Sequence, residues 1–164
     1  MNDAGSCLLT LSEAVAWRES LRKDNRRLVI TNGCFDILHR GHASYLAQAR
    51  ELGDALLVLI NTDRSVRELK GDKRPVVCEE DRAFLLNSLK SVDRVVLFDD
   101  KRCTRELAAL APDIYVKAGD YTLETLAQDE RQALESCGSK IVFMSFVANR
   151  STTGVIEKIL EAYK

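Results

Sequence analysis

Short apolar segments alternate with amphipathic stretches along almost the whole chain, and this alternation restricts the fold more than any other feature. The apolar segments predict strands, and the amphipathic stretches predict helices, because their apolar residues recur three and four positions apart. One segment, residues 55–60, is apolar at every position, as is typical of a strand covered on both faces in a parallel sheet. The alternation therefore predicts βαβ crossovers and an α/β fold with a parallel sheet.

The predicted architecture is a Rossmann-like open parallel sheet of about five strands with helices on both faces. The predicted strands are residues 27–31, 55–60, 94–98, 113–117 and 141–146, and the predicted helices are 12–23, 42–52, 61–70, 79–89, 104–110, 123–136 and 152–163. Ser12 is the predicted N-cap of the first helix, and Gly53 the predicted C-cap of the second. No repeat or linker divides the chain, so residues 1–164 are predicted to form one domain, with 1–26 as an N-terminal helical extension.

Charge and cysteine usage exclude several classes of protein. Lys and Arg number 24 against 25 Asp and Glu, a net charge of −1, whereas proteins that wrap DNA or lie on anionic membranes usually carry excess positive charge. We therefore expect neither a nucleic-acid nor a membrane partner. The five cysteines form no C-x-x-C pair, which argues against a zinc ribbon and a disulfide framework. With no secretory signal pattern at the N-terminus, a cytoplasmic location is expected.

Both histidines of the chain, His39 and His42, lie in one turn between a predicted strand and a predicted helix, with Gly41 between them. A helix N-terminus presents unpaired N–H groups and a positive dipole end, so it binds anions. Glycine lets the backbone approach a ligand closely. Two imidazoles add donors that can follow charge developing on a phosphoryl oxygen. The pattern favours phosphate chemistry at this turn.

Two other interpretations of the histidine pair stay open on sequence grounds. The histidines can be structural, or they can ligate a metal ion with Asp36 as third ligand. The chain has no G-x-x-x-x-G-K-[ST] and no G-x-G-x-x-G motif, so it is neither a P-loop kinase nor a dinucleotide-binding dehydrogenase by motif.

Polar residues also follow the later predicted strands, where open α/β sheets bind their ligands. Lys117, Gly119 and Asp120 follow the fourth strand, and a lysine beside a carboxylate suits a sugar phosphate or a nucleotide ribose. Residues 149–153 precede the last helix and form a second predicted anion site. Within it, Arg150 is a candidate clamp for pyrophosphate, while Ser151, Thr152 and Thr153 supply hydroxyl and N–H groups. Ser151 and Thr152 are also ordinary N-cap residues.

These motifs together resemble a known family. Residues 31–36 read Thr-Asn-Gly-Cys-Phe-Asp and residues 39–42 read His-Arg-Gly-His, which resembles the signature of the His-x-Gly-His, or cytidylyltransferase-like, nucleotidyltransferases. Three further stretches resemble the branch that adenylates heptose 1-phosphate in bacteria: Leu-Lys-Gly at 69–71 with Arg-Pro-Val at 74–76, Val-Lys-Ala-Gly-Asp-Tyr at 116–121, and Ser-Thr-Thr at 151–153.

The resemblance implies a role for each matching residue. It makes His39, His42 and Lys70 the catalytic residues, which contact the phosphates and stabilise the transition state at the α-phosphorus. Asp36 is expected to orient the turn, and Lys73 and Arg74 are weaker phosphate candidates. The implied nucleotide-binding residues are Thr31, Asn32, Gly33, Cys34, Phe35, Gly41, Arg82, Lys117, Gly119, Asp120, Arg150, Ser151, Thr152 and Thr153. No protein-held metal is expected.

The implied reaction transfers AMP from ATP to D-glycero-β-D-manno-heptose 1-phosphate, with Mg²⁺ accompanying ATP. The expected partners are ATP, the sugar 1-phosphate and a second copy of the chain in a homodimer. Because only 26 residues precede the first predicted strand, a separate heptose kinase is expected to supply the acceptor. Two alternatives remain: a CTP-dependent cytidylyltransferase acting on glycerol 3-phosphate or a similar alcohol phosphate, and a non-catalytic nucleotide-binding module.

Overall fold

The computed structural model describes residues 8–145 and 151–164. Its strands all run parallel in one six-stranded sheet. The strands are β1 (Leu8–Leu9), β2 (Leu28–Gly33), β3 (Ala55–Asn61), β4 (Arg94–Phe98), β5 (Ile114–Ala118) and β6 (Lys140–Met144). Their order across the sheet is β1-β4-β3-β2-β5-β6. The predicted α/β class and open parallel sheet are confirmed.

Helices connect the strands and form a hydrophobic core with each face of the sheet. The helices are α1 (Leu11–Lys23), α2 (Arg40–Arg50), α3 (Asp63–Lys70), α4 (Glu79–Asn87), α5 (Thr104–Leu110), α6 (Gln128–Ser136) and α7 (Thr152–Ala162). Alternate residues of β3 serve the two cores: Leu57 packs in the cluster of Leu21 and Leu107, and Leu56 packs in the cluster of Leu46. This is why β3 is buried at every position.

The first strand and the first helix cap differ from the prediction. The two-residue strand β1 pairs with β4 and is too short to show a periodic pattern in the sequence. Helix α1 is capped by Thr10 rather than by Ser12: the amide of Glu13 donates to the Thr10 hydroxyl at 3.3 Å, and the amide of Thr10 donates to the Glu13 carboxylate at 2.8 Å. This reciprocal pair forms a capping box, so Ser12 lies inside the helix.

Gly53 was the predicted C-cap of α2, and this prediction is wrong. The C-cap is Glu51, which has an ordinary right-handed helical conformation. A Cβ on Gly53 would lie 2.6 Å from Cγ2 of Val29 and 3.0 Å from the carbonyl oxygen of Arg27. The glycine is therefore required for space against β2.

The helix predicted over residues 123–136 also begins later than expected, at Gln128. The preceding residues form a separate turn, in which the amide of Thr122 donates to the Thr125 hydroxyl at 2.8 Å and the amide of Leu126 donates to the Thr122 carbonyl at 3.0 Å.

The strand order reverses at β2, which lies between β3 and β5. The chain builds outward from β2 through β3 to β4 and then returns to the opposite side of β2 to form β5 and β6. In open α/β sheets such a reversal leaves a crevice at the carboxyl ends of the strands. Among the described residues, no helix has the length and apolar character needed to cross a bilayer.

Candidate active site

A cleft of about 550 Å³ lies at the carboxyl ends of the central strands, where the strand order reverses. It takes side chains from the loop after β2, from the N-termini of α2 and α7, and from the segments that follow β3, β4 and β5. The residues lining it are Asn32, Gly33, Cys34, Phe35, Asp36, His39, His42, Tyr45, Asn61, Leu69, Lys70, Arg74, Lys101, Lys117, Ala118, Tyr121, Ser151, Thr152 and Thr153.

The two histidines stack against each other at the start of α2. His39 is the N-cap residue in an extended conformation, and its ring centroid lies 3.9 Å from that of His42, with 18° between the ring planes. The ring of Phe35 also packs against His42, with the two ring centroids 5.1 Å apart. Gly41 is buried in this first turn and does not line the cleft. Both imidazoles line the cleft at the N-terminus of α2, where an anion is favoured.

The environment of His42 keeps its ring neutral at physiological pH. Burial, followed by the repulsive charge of His39, lowers the pKa of His42 to about 4. Its Nδ1 atom is buried and has no hydrogen-bond partner among the described residues. A polyanion bound beside the ring would favour the protonated form, so anion binding and protonation of His42 are coupled.

Asp36 connects two loops of the cleft. One is the loop between β2 and α2, here called the histidine loop, and the other is the loop between α3 and α4, here called the basic loop. The Asp36 side chain is fully buried and forms an ion pair with Arg74, while the amides of Val76 and Val77 donate to it at 2.8 and 2.9 Å. This agrees with the expectation that Asp36 orients the turn. The carboxylate is committed to these donors, which disfavours the metal-ligand interpretation. Among the described residues no group of three or more His, Cys, Asp or Glu is placed to hold a metal ion.

Arg82 lies beneath the cleft rather than in it, which corrects the prediction that it contacts the nucleotide. Its side chain is fully buried and donates to the carbonyl of Cys34 at 2.6 Å and to the carbonyl of Asn61 at 2.8 Å. It also forms an ion pair with Asp63 at 2.7 Å. With these contacts Arg82 positions the ends of β2 and β3, and no part of its side chain is left to reach a ligand.

Lys117 is held at the cleft wall by Asn32. The Asn32 side-chain oxygen accepts from Nζ of Lys117 at 2.8 Å and from the hydroxyl of Tyr115 at 2.7 Å. The ammonium also lies 5.2 Å from the centroid of the Tyr121 ring. The predicted residues Asn32 and Lys117 are therefore brought together, although β2 and β5 are far apart in sequence.

Some predicted residues line the cleft and others support it. Of the predicted site residues, Gly33, Cys34, Phe35, Lys70 and Ser151–Thr153 line the cleft, and the Ser151 hydroxyl also caps α7 by accepting from the amide of Gly154 at 3.0 Å.

Three of the predicted nucleotide-binding residues, Thr31, Gly119 and Asp120, do not line the cleft. Thr31 is fully buried, with its hydroxyl oxygen 2.5 Å from that of Tyr45. Gly119, at a φ of 114°, forms the turn after β5, where its amide donates to the Met144 carbonyl at 2.9 Å. Asp120 is exposed outside the cleft. Arg150 lies outside the described residues.

Five residues that line the cleft have no role assigned from the sequence: Tyr45, Asn61, Leu69, Lys101 and Tyr121. Leu69 and Tyr121 lie within the matched motifs, but the other three lie outside them. Lys101 follows β4, the one predicted strand after which no candidate residue is named, although the rule that ligands bind at the carboxyl ends of strands applies to it equally. Asn61 is the last residue of β3 and was assigned to the next helix. Tyr45 reaches the cleft from the second turn of α2, a position that helical periodicity assigns to the core.

The comparisons with known proteins agree with this geometry. A family model described as cytidylyltransferase-like matches residues 30–158, the segment that carries the histidine turn and the cleft. The chain belongs to the cytidylyltransferase-like family. The resemblance inferred from the motifs is thereby confirmed, and the nucleotidyltransferase class with it.

Two relatives with high sequence identity carry the same name. The bifunctional protein HldE of Citrifermentans bemidjiense is 48% identical over 153 residues, covering 93% of this chain and 30% of the relative. The bifunctional protein HldE of Helicobacter pylori strain P12 is 51% identical over 136 residues, covering 83% and 28%. The chain thus spans about 30% of the length of these relatives.

A solved structure resembles the fold of this family member. The lipopolysaccharide core biosynthesis protein from Thermoplasma volcanium GSS1 has a TM-score of 0.60 and 29% sequence identity, and the match covers 74% of this chain and 97% of that one.

Proposed function

We propose that the chain transfers AMP from ATP to D-glycero-β-D-manno-heptose 1-phosphate and releases pyrophosphate. The observation that carries the proposal is the stacked pair His39 and His42 at the N-terminus of α2, inside a cleft that also holds lysines from separate elements. The sequence identity to proteins named HldE and the match of residues 69–71, 116–121 and 151–153 to the heptose branch support the acceptor.

In the proposed reaction an oxygen of the sugar phosphate attacks the α-phosphorus of ATP in line. The new oxygen–phosphorus bond forms as the bond from the α-phosphorus to the bridging oxygen breaks, and the electron pair leaves with pyrophosphate. A phosphate monoester is already ionised at pH 7, so no general base is required. The protein positions two polyanions and stabilises the charge that shifts to the bridging oxygen. His39, His42 and Lys70 perform this role.

Mg²⁺ is proposed to enter with ATP rather than to occupy a site built by the protein. Asp36, the cleft's carboxylate, is occupied by Arg74 and two amides. The donor set that fits Mg²⁺ here is therefore the triphosphate itself, and when bound the ion neutralises phosphate charge.

The proposed acceptor requires a kinase-class reaction that phosphorylates the sugar at C1 before this step.

A homodimer is proposed for the chain from its resemblance to the family. Light scattering coupled to gel filtration tests the assembly, with about twice 18.4 kDa expected; a mass of one chain would contradict the dimer.

A pyrophosphate-release panel tests the proposed reaction. The chain is incubated with Mg²⁺ and each of four nucleoside triphosphates, crossed with heptose 1-phosphate, other sugar 1-phosphates and glycerol 3-phosphate. Turnover is expected to be highest with ATP and the heptose 1-phosphate. Preference for CTP with glycerol 3-phosphate would replace the proposal by the cytidylyltransferase alternative. Binding of ATP without pyrophosphate release from any acceptor would indicate a nucleotide-binding module.

A further inference from the structure

The cleft has two sides, because β2 and its histidines lie in the middle of the sheet. On one side Lys117 and Tyr121 belong to β5 and the segment after it, and both line the cleft. On the other side Lys70 ends α3, which follows β3, and Lys101 follows β4. Each side thus supplies its own cation, as a reaction between two polyanions requires.

The side of β5 has the features that suit the nucleotide. Tyr121 lines the cleft and is 43% exposed, and exposed aromatic rings stack on nucleobases. The attacking oxygen and the leaving pyrophosphate must lie on opposite faces of the α-phosphorus in an in-line transfer. If the pyrophosphate leaves on the side of β5 and β6, where the base is bound, the acceptor approaches from the side of β3 and β4.

The loop that carries Lys101 is fixed at both ends. Before the lysine, the carbonyl of Asp100 accepts from the Ser65 hydroxyl at 2.7 Å and from the Asn61 amide group at 3.5 Å. After it, the amide of buried Cys103 donates to the carboxylate of Glu130 at 3.2 Å. The backbone at Lys101 is therefore held in place beside the end of β3, while its side chain is exposed at the cleft.

Among the described residues, the ion pairs near Lys101 do not involve its ammonium group. Asp99, two residues before Lys101, is bound by Arg64 in a bidentate pair, and the cleft's Asp36 is bound by Arg74. Within residues 8–145 and 151–164, the side-chain ion pairs include neither Lys70 nor Lys101.

From this placement we infer that Lys101 binds the phosphate of the acceptor, opposite the nucleotide, and so contributes to acceptor specificity. The inference rests on the proposed adenylyl transfer and extends it to a residue that the motifs do not mark. Lys101 neutralises the incoming phosphate monoester, Lys70 on the same side contacts the reacting phosphates, and the histidines hold these phosphates in the middle of the cleft.

Steady-state kinetics of pyrophosphate release test the role of Lys101. Each substrate is varied in turn for the wild-type chain and for Lys101→Ala, Lys101→Gln and Lys101→Arg. We expect the two neutral variants to raise KM for heptose 1-phosphate by about 10-fold or more, as loss of a charge-assisted contact does, while KM for ATP changes less than about 2-fold. Lys101→Arg should restore most of the acceptor affinity. Lys90→Ala, at an exposed lysine outside the cleft, is the matched control.

The outcomes separate this inference from the proposed function. An unchanged acceptor KM in the neutral variants, or a rise in KM for ATP instead, would overturn the assignment of Lys101 and leave the adenylyl transfer standing. No pyrophosphate from the wild-type chain with any acceptor would overturn the proposed function, and the assignment of Lys101 with it.

Discussion

At the scale of single residues, the stacked histidines are the groups on which transfer depends most. His39→Ala and His42→Ala each remove a donor from the reacting phosphates, so pyrophosphate release should fall by ~10²-fold or more, as loss of a transition-state donor does. The far-ultraviolet circular dichroism and the unfolding midpoint serve as controls for the fold. Near-normal turnover in both variants would contradict the proposed role of the pair.

The neutral state of His42 has a consequence for stability against pH. The folded-state pKa is about 4, below the ~6.5 of an unfolded histidine, so the unfolded chain binds more protons between these values. The free energy of unfolding is thus unaffected by this group above about pH 6.5, and it decreases as the pH falls from there toward 4. Urea unfolding at several pH values should show a weaker loss of stability over this window in His42→Gln than in the wild type. Parallel pH profiles would show that the ring is not kept neutral by the fold.

Residue positions also show what sequence can and cannot predict about the site. His39, His42, Lys117 and Ser151 were predictable because a motif or a strand end marks them. The buried role of Arg82 was not predictable, since its carbonyl partners come from the ends of β2 and β3, which meet only in the folded sheet.

At the scale of elements, Asp36 joins the histidine loop to the basic loop before α4. Asp36→Ala leaves Arg74 and the amides of Val76 and Val77 without their acceptor, and breaking a buried pair costs about 3–5 kcal/mol. Chemical denaturation should show a loss of this order together with lower turnover, because Lys70 precedes the same loop. Arg131→Ala removes an exposed pair within α6 and should lower the free energy of unfolding much less than Asp36→Ala does. Equal losses in the two variants would contradict the connecting role of Asp36.

The contact between Gly53 and β2 supports a second prediction at this scale. In Gly53→Ala the new methyl group meets Val29, which is buried in the strand, and a backbone carbonyl. Forcing a group into packed surroundings costs about 1–3 kcal/mol, so thermal unfolding should shift downward by several degrees. An unchanged midpoint would mean that the turn before β3 adjusts freely.

The elements themselves were largely predictable, because alternating apolar strands and amphipathic helices have distinct periods. The bounds of β4 and α5 agree fully with the prediction. The strand β1 was missed because two residues show no period, and the start of α6 was misplaced because the turn at Thr122 has an apolar pattern similar to that of a helical turn.

At the scale of the whole molecule, strand order decides which loops share the cleft. The order β4-β3-β2-β5 brings Lys101, Lys70, the histidines and Lys117 to one edge of the sheet. Alternation in the sequence predicts a parallel sheet but leaves the neighbours of each strand undetermined, so the two-sided arrangement of the cleft could be found only in the structure.

The central claim is that the histidine turn holds the triphosphate of ATP. A crystal structure of the chain with ATP and Mg²⁺ tests it most directly. The account predicts the α-phosphate within hydrogen-bond distance of His39 or His42, with the adenine on the side of Tyr121. A nucleotide bound elsewhere, with the histidine turn empty, would contradict it.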